Sequence, residues 1–410
     1  MGTAMHESHS RLAPLRIPMS YLVPATLVAA FTSLGRATSR AIRKGAVLLF
    51  SIVVLLDGGA ATTPAPTPTA TLTPTPSTTP AQGFGIGCVY MIPALHVGDP
   101  DHDLKNKPCW TNSHFPVVLL RETWGRLEQT KGNRDWSFFD KGVELAREHG
   151  KKFAVVVAAG YTSPSWIFDS PTNAYAFPVQ TRHGKLNMPL PWDSKFQAAW
   201  SDTVHALGSR YGNDPLCVYA NISGVGRVHE STFVRAQEDI DACNAKASSD
   251  GFSSCMDAWT AGAKWITDMF HDAFPNKPFL FIGAIPSPKQ DGLDALNNVI
   301  DWAAAKYTNF GFANEGLWPG NNYPPPDSPG TLQIKKLSAA GHPTMYQFHL
   351  PVTTVADMKT SLDKGIANGA RGIEIFPGNC NQSEMWPLFD DANTRMLAGG
   401  DKLKAKVKAK

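Results

Sequence analysis

The feature that most restricts the fold is a rhythm that begins at residue 84. Short runs rich in Val, Ile and Phe alternate with longer segments whose apolar residues recur at helical spacing. Strands are expected at 84–92, 117–121, 153–159, 217–223, 279–285, 310–314, 344–350 and 372–376. Helices are expected between them, for example over 136–150, 256–274, 292–307 and 355–369. Segments ending HGKK, AAGH and NGAR place Gly at or just past the last helical turn, where a helix is commonly closed. Alternating strands and helices give a parallel sheet, and eight such units close into an α/β fold, the (β/α)8 TIM barrel. The alternative, an open doubly wound sheet, would favour a Gly-rich phosphate loop after the first strand. The two glycines of FGIGCVYMIP lie inside the apolar run and no G-x-G-x-x-G opens a helix, so nucleotide binding has little support.

The barrel is expected to occupy 83–398. Before it, Arg40, Arg43 and Lys44 precede the apolar run 46–56 and the small residues 58–61, the order of an export signal. The run is short for a membrane span, which needs about 20 apolar residues, so 1–61 reads as a signal or membrane-anchor segment. Residues 62–82 are Thr/Pro-rich, a semi-rigid spacer without backbone donors at each Pro. The protein is therefore expected to be secreted or extracytoplasmic, with a membrane tether if the segment is retained. Residues 399–410 read as a solvated, frayed basic tail. The first 61 residues hold six basic and two acidic side chains, so the formal charge of +3 leaves the remainder nearly balanced. Such a chain has no global field for nucleic acid. All six cysteines lie in the barrel region, and export permits disulfides. Cys243 with Cys255 is the first expected pair and Cys88 with Cys109 the second. Asn221 and Asn381 each begin a sequon. No cofactor or metal is implied: no CxxC is present, and His96 and His102 do not match the H-x-H spacing of a metal-dependent barrel hydrolase.

In a barrel the chemistry gathers where strands end and the following loops begin. Residues 121–140 stand at the second such end and read R-x-x-W-x-x-L-E-x-x-x-G-x-x-D-W-x-x-x-D. This text, followed by a helix ending in HGKK and an apolar strand, resembles the second unit of clan A glycoside hydrolases, the β-galactosidase-like and cellulase-like barrels. The likeness covers 117–170 strongly, 84–395 in strand order, and nothing before 82. It implies that Arg121 supports a catalytic carboxylate. Trp136 and Asp140 are assigned to packing and helix capping.

Glycoside hydrolysis needs two carboxyl groups flanking the scissile bond. The resemblance implies an acid/base Glu after strand four, and Glu230 stands there, although it follows His rather than the family's usual Asn. The family's nucleophile is a Glu ending strand seven. Alternation there puts Met345, Gln347 and His349 on one face, so the inward polar residue is Gln347. Two substitutes remain open. Glu374, between Ile373 and Ile375, should point into the barrel from strand eight, opposite strand four. Glu315 ends strand six in an Asn-Glu pair. A third option is that no second carboxylate exists. Trp124, Trp166, Trp318 and Trp386 all follow strand ends, where indole faces can stack on sugar rings; Asn314 and His349 are natural hydroxyl partners. The expected partner is a carbohydrate, and the expected function an exported glycosidase acting on oligo- or polysaccharides. The alternative is a tethered carbohydrate-binding barrel without catalysis.

Overall fold

The computed structural model describes residues 84–181, 184–320 and 325–408. The expected signal or anchor segment and the Thr/Pro linker lie outside them. Ten strands are present: β1 Gly87–Met91, β2 Val117–Thr123, β3 Lys152–Ala158, β4 Phe177–Thr181, β5 Gly184–Met188, β6 Cys217–Ile222, β7 Phe279–Gly283, β8 Phe310–Leu317, β9 Thr344–Phe348 and β10 Gly372–Ile375. Eight of them close a barrel in the ring order β1-β2-β3-β6-β7-β8-β9-β10. The neighbouring pairs, from Val89 against Glu374 to Phe312 against Thr344, are parallel. These are the eight strands expected. The antiparallel hairpin β4–β5 was not expected. Its strands FPVQT and GKLNM carry a Pro and mostly polar residues, so they give no apolar run to notice.

Alternation sorts each strand into two cores. Val117 and Leu119 of β2, Ala154 and Val156 of β3, Leu280 and Ile282 of β7, Ala313 of β8 and Met345 of β9 fill the barrel interior. Val118, Leu120, Val155, Phe281, Phe312 and Ile373 face the helices. On this parity Arg121, Asn221, Glu315, Gln347 and Glu374 continue the inward rows beyond the apolar layers. The C-terminal end of the barrel is thus polar where the inward rows of β2, β6, β8, β9 and β10 end in polar side chains.

The helices begin and end as their sequence predicts. Asp193 caps Ser194–Tyr211 by accepting from the Lys195 and Phe196 amides, and Ser254 caps Cys255–Ala273 by accepting from Asp257 N. Thr354 caps Val355–Ala367 in the same way. Gly150, Gly341 and Gly369, the three expected helix closers, all have positive φ. The final helix, Trp386–Lys408, carries helical backbone into the segment expected to fray. Among the described residues no helix is long and apolar enough to cross a membrane.

Cys243 and Cys255 form the first expected disulfide. The second expected pair is not formed: Cys88 and Cys109 are free and buried. Cys88 faces the terminal helix, where its thiol lies 3.8 Å from the Phe389 carbonyl.

Candidate active site

Glu230 stands on the long loop after β6, and this loop is fastened at many points. Ser223 Oγ donates to Val157 O at 2.5 Å. Arg227 N donates to Thr232 O, Tyr161 N to Arg227 O, Ser231 N to Ile282 O, and Phe233 N to Pro286 O. Gly160 permits the closest approach: its φ is +70°, and a Cβ there would lie 2.0 Å from Arg227 O. The loop is thereby tied to the ends of β3 and β7, which fixes the backbone on both sides of Glu230.

Glu315 comes from β8, within the register irregularity between Asn314 and Leu317. Its carboxylate and that of Glu230 meet through His229. His229 Nε2 lies 3.0 Å from Glu315 Oε1, and Nδ1 lies 3.6 Å from Glu230 Oε2. Contacting atoms of all three side chains fall within 4.8 Å of one another. Arg121 reaches the same imidazole: its Nη1 is 3.4 Å from His229 Nε2 and 3.2 Å from Met91 Sδ. The two carboxylates remain accessible, with side chains 18% and 20% exposed. Burial and then the Glu315 charge push the Glu230 carboxyl above its ordinary range, with His229 pulling the other way. Burial pulls the Arg121 guanidinium below its usual value, opposed by Glu374, Glu315 and Glu230 in that order.

Glu374 points into the barrel as expected, and it reaches across to strand four. Its Oε1 accepts from Tyr219 Oη at 2.9 Å and from Asn221 Nδ2 at 3.3 Å. It is only 1% exposed. Burial raises its carboxyl above the ordinary range, while those hydrogen bonds, His229 and Arg121 pull it down. Burial, followed by the Glu374 charge, also raises Tyr219 well above a normal phenol. Gln347, its neighbour in the ring, is inward and buried with Oε1 unpartnered; Glu374 Oε2, Asn221 Oδ1 and Arg121 Nε are likewise unpartnered. The sequon residue Asn221 is thus an interior side chain. The inward parity of Tyr219 and Asn221 on β6 was the signal that could have found them.

The other expected binding residues divide. Trp124 is fully buried, with its Nε1 donating to Glu128 Oε2, and it packs on Trp166, Phe196 and Trp200. It is a packing residue, because the chain turns off β2 into a helical turn, Trp124–Leu127, that carries the indole into the core. Asn314 has outward parity: its Oδ1 accepts from Gly316 N, and its Nδ2 abuts Gly330 of helix Pro329–Ala340. Trp166 is half-buried, donates to Glu128 O at 2.7 Å and lies under Lys131. Trp318 is half-buried three residues past Glu315, and His349 is exposed at the end of β9. Trp386 stacks on His114.

The opening motif owes its acidic residue to structure. Glu128 is buried and accepts from Trp124 Nε1, Gly132 N, Arg134 Nε and Thr203 Oγ1. It ties the loop after β2 to helix Ser194–Tyr211. A separate polar groove, about 460 Å³, lies beside Ser137, Phe138, Lys141, Arg126 and Asp101, on the flank of the barrel. None of the mouth carboxylates lines it, so the convergent side chains define the site better than this groove does.

One imidazole and two carboxylates are donor types that a divalent cation accepts, and among the described residues this is the one such group. Arg121 already supplies a fixed positive charge 3.4 Å from the same imidazole nitrogen, which disfavours an ion there.

No protein-family model and no curated protein sequence matches the chain. Among solved structures, the catalytic domain of beta-amylase from Paenibacillus polymyxa is similar. It has a TM-score of 0.51 at 11% identity, over 74% of this chain and 95% of that one. A polyextremophilic beta-galactosidase from the Antarctic haloarchaeon Halorubrum lacusprofundi gives 0.45 at 13% identity, over 74% of this chain and 57% of that one. The first likeness is one of fold. The (β/α)8 barrel implied by the strand-two motif is the fold of this chain.

Proposed function

We propose that the protein is an exported glycoside hydrolase, with Glu230 as acid/base and Glu315 as nucleophile. The observation that carries this reading is the accessible Glu230–Glu315 pair, joined through His229 at the end of the barrel where such folds keep their chemistry. One oxygen of each carboxylate lies within 4.8 Å of the other, and a retaining reaction is the one that needs the closer carboxyl groups, about 5–5.5 Å apart against about 6.5–9.5 Å for an inverting one. The raised carboxyl of Glu230 suits a proton donor. In the first step Glu315 attacks the anomeric carbon. The glycosidic C–O bond breaks as Glu230 gives its proton to the leaving oxygen, leaving a glycosyl ester on Glu315. In the second, Glu230 as carboxylate takes a proton from water. The resulting oxygen attacks the anomeric carbon, the ester bond breaks, and both side chains return to their starting states. Glu374 is too enclosed to attack a sugar and serves instead to hold Tyr219, Asn221 and the charge of Arg121. Export is supported by the basic–apolar–small order of 40–61, the Thr/Pro spacer and the Cys243–Cys255 disulfide.

The test is turnover of a panel of aryl glycosides by the full chain, by Glu230→Gln and by Glu315→Ala, with and without azide. Hydrolysis lost in both variants and recovered by Glu315→Ala as glycosyl azide supports the assignment. A second reading, a carbohydrate-binding barrel without catalysis, rests on Gln347 in the strand-seven position. Sugar binding by a wild type that turns over no glycoside would favour it.

A further inference from the structure

We propose that Arg227 is a positioning residue for Glu230: it clamps the neck of the loop that carries the acid/base, and two helices stapled by the Cys243–Cys255 disulfide hold the clamp. The proposal rests on the reading of Glu230 as acid/base and deepens it.

The loop after β6 closes on itself at Arg227. Arg227 N donates to Thr232 O at 2.7 Å, with His229 and Glu230 in the turn between them. Gly226 lets the chain fold back this tightly, because a Cβ there would lie 2.1 Å from Glu230 O. The Arg227 side chain then spends each of its nitrogens on a different segment. Nε donates to Phe233 O at 2.9 Å, across the neck of the loop. Nη1 donates to Gln180 O at 3.0 Å, on β4. Nη2 donates to Asp239 Oδ2 at 3.4 Å, on helix Gln237–Ser249. Its carbonyl accepts from Tyr161 N at 2.8 Å, in the turn after β3. The two charged side chains are 13% and 4% exposed. A rigid planar fork bonded at all three nitrogens in so enclosed a place has little freedom to swing. Burial pulls the guanidinium below its usual value, and Asp239 is the first charge that opposes this.

The helix that supplies Asp239 is itself tethered. Cys243 lies one turn further along the same face, is fully buried, and bonds to Cys255. Cys255 opens helix Cys255–Ala273, which returns to the loop: Trp259 Nε1 donates to Val225 O at 2.7 Å. The path is therefore a closed circuit. Val225 and Arg227, two residues apart, are each held by one of the two helices, and the disulfide fixes those helices to each other. These groups act on Glu230 through the backbone of its loop, not on the sugar.

The experiment is amide hydrogen exchange of the full chain, read by mass spectrometry in wild type, Arg227→Gln and the double variant Cys243→Ser/Cys255→Ser. Exchange across 224–236 should rise by about tenfold or more in Arg227→Gln and by a smaller factor in the cysteine variant, while β1, β9 and β10 exchange as in wild type. If Arg227→Gln fails to fold, Asp239→Asn takes its place, since it keeps the shape and removes the charge. Lys185→Ala is the control. It deletes an exposed ion pair with Glu238 between the same hairpin and helix, and should leave the loop unchanged. An unchanged loop in the Arg227 or the cysteine variant overturns the proposal. So does equal acceleration throughout the barrel, which marks a role in global stability alone. This readout needs no turnover: a wild type without glycosidase activity would sink the acid/base reading, while the exchange result judges the clamp separately. In an active enzyme Arg227→Gln should lower kcat by about ten- to hundredfold with KM changed less than about threefold, because a misplaced acid is missed mainly in the transition state. Arg227→Lys, which keeps the charge but not the fork, should restore only part of that loss. A raised KM with kcat intact would overturn the assignment.

Discussion

The barrel holds carboxylates in two settings, and they differ in almost every physical respect. Glu230 and Glu315 stand at the rim, about one-fifth exposed, and reach each other through one imidazole. Glu374 sits below them, 1% exposed, bonded to Tyr219 and Asn221 across the barrel. They were drawn from the sequence by different reasoning: Glu230 by its loop after strand four, Glu315 by its place at the end of strand six, and Glu374 because an acid pointing inward is either paired or functional. Their surroundings differ accordingly. Glu374 is paired, and its cost of burial is offset by two hydrogen bonds and by Arg121. Glu230 and Glu315 keep the access that a reacting sugar needs.

That contrast can be broken most directly by activity. Glu230→Gln and Glu315→Gln should each lower kcat on an aryl glycoside by about 10²–10⁴-fold. Glu374→Gln, which preserves shape and can still bond Tyr219, should cost less than about tenfold by the same measure. A Glu374→Gln variant as inactive as Glu315→Gln would reverse the assignment of roles. Stability should show the opposite order. Glu374→Ala removes the largest charge opposing the buried Arg121, so urea unfolding should reveal a loss of about 3–5 kcal/mol. Rim substitutions at Glu230 or Glu315 should cost about 1 kcal/mol or less in the same assay.

A finer division comes from pH. The folded carboxyl of Glu374 is raised, so its proton is held more tightly in the folded than in the unfolded chain. Its contribution to stability is complete below the unfolded carboxyl value, about 4.3, and is lost as pH rises through the higher folded value. Glu374→Gln should therefore flatten the fall in stability above about pH 4. The raised Glu230 carboxyl acts on rate instead: activity should persist on the alkaline side beyond the range of an ordinary carboxylate and fall as Glu230 loses its proton. The smallest expected effect is that of chelation. Arg121 supplies the positive charge at the rim, so EDTA should leave kcat unchanged, and a loss restored by a divalent cation would place an ion among His229, Glu230 and Glu315.

How much of this was legible beforehand depends on how local each signal is. The eight strands and the three closing glycines were readable because period and turn chemistry act over a few residues. Glu230 was found because loop position after a buried strand is also local. The contacts of His229 were not visible, because they depend on Glu315 and Arg121 arriving from two other strands. Asn314 was misplaced for an instructive reason. The Asn-Glu pair was read as a unit, yet neighbouring residues on a strand face opposite ways, and Ala313 inside puts Asn314 outside. Trp124 was misplaced because nothing in the text marks where β2 ends and the helical turn begins. The hairpin β4–β5 escaped because its strands lack an apolar pattern.

The four unpaired cysteines have a use that none of their packing contacts suggests. Cys88, Cys109, Cys217 and Cys380 are spread from the first strand to the helical turn after the last strand and are each 2% exposed or less. Burial pushes the Cys109 and Cys217 thiols up to about 12, far from the thiolate form that alkylating reagents require. The native barrel should thus be nearly inert to iodoacetamide, and each thiol should react only when its own region opens. Site-by-site labelling would time that opening around the ring without any added probe, and would tell whether the barrel comes apart at one seam or all at once.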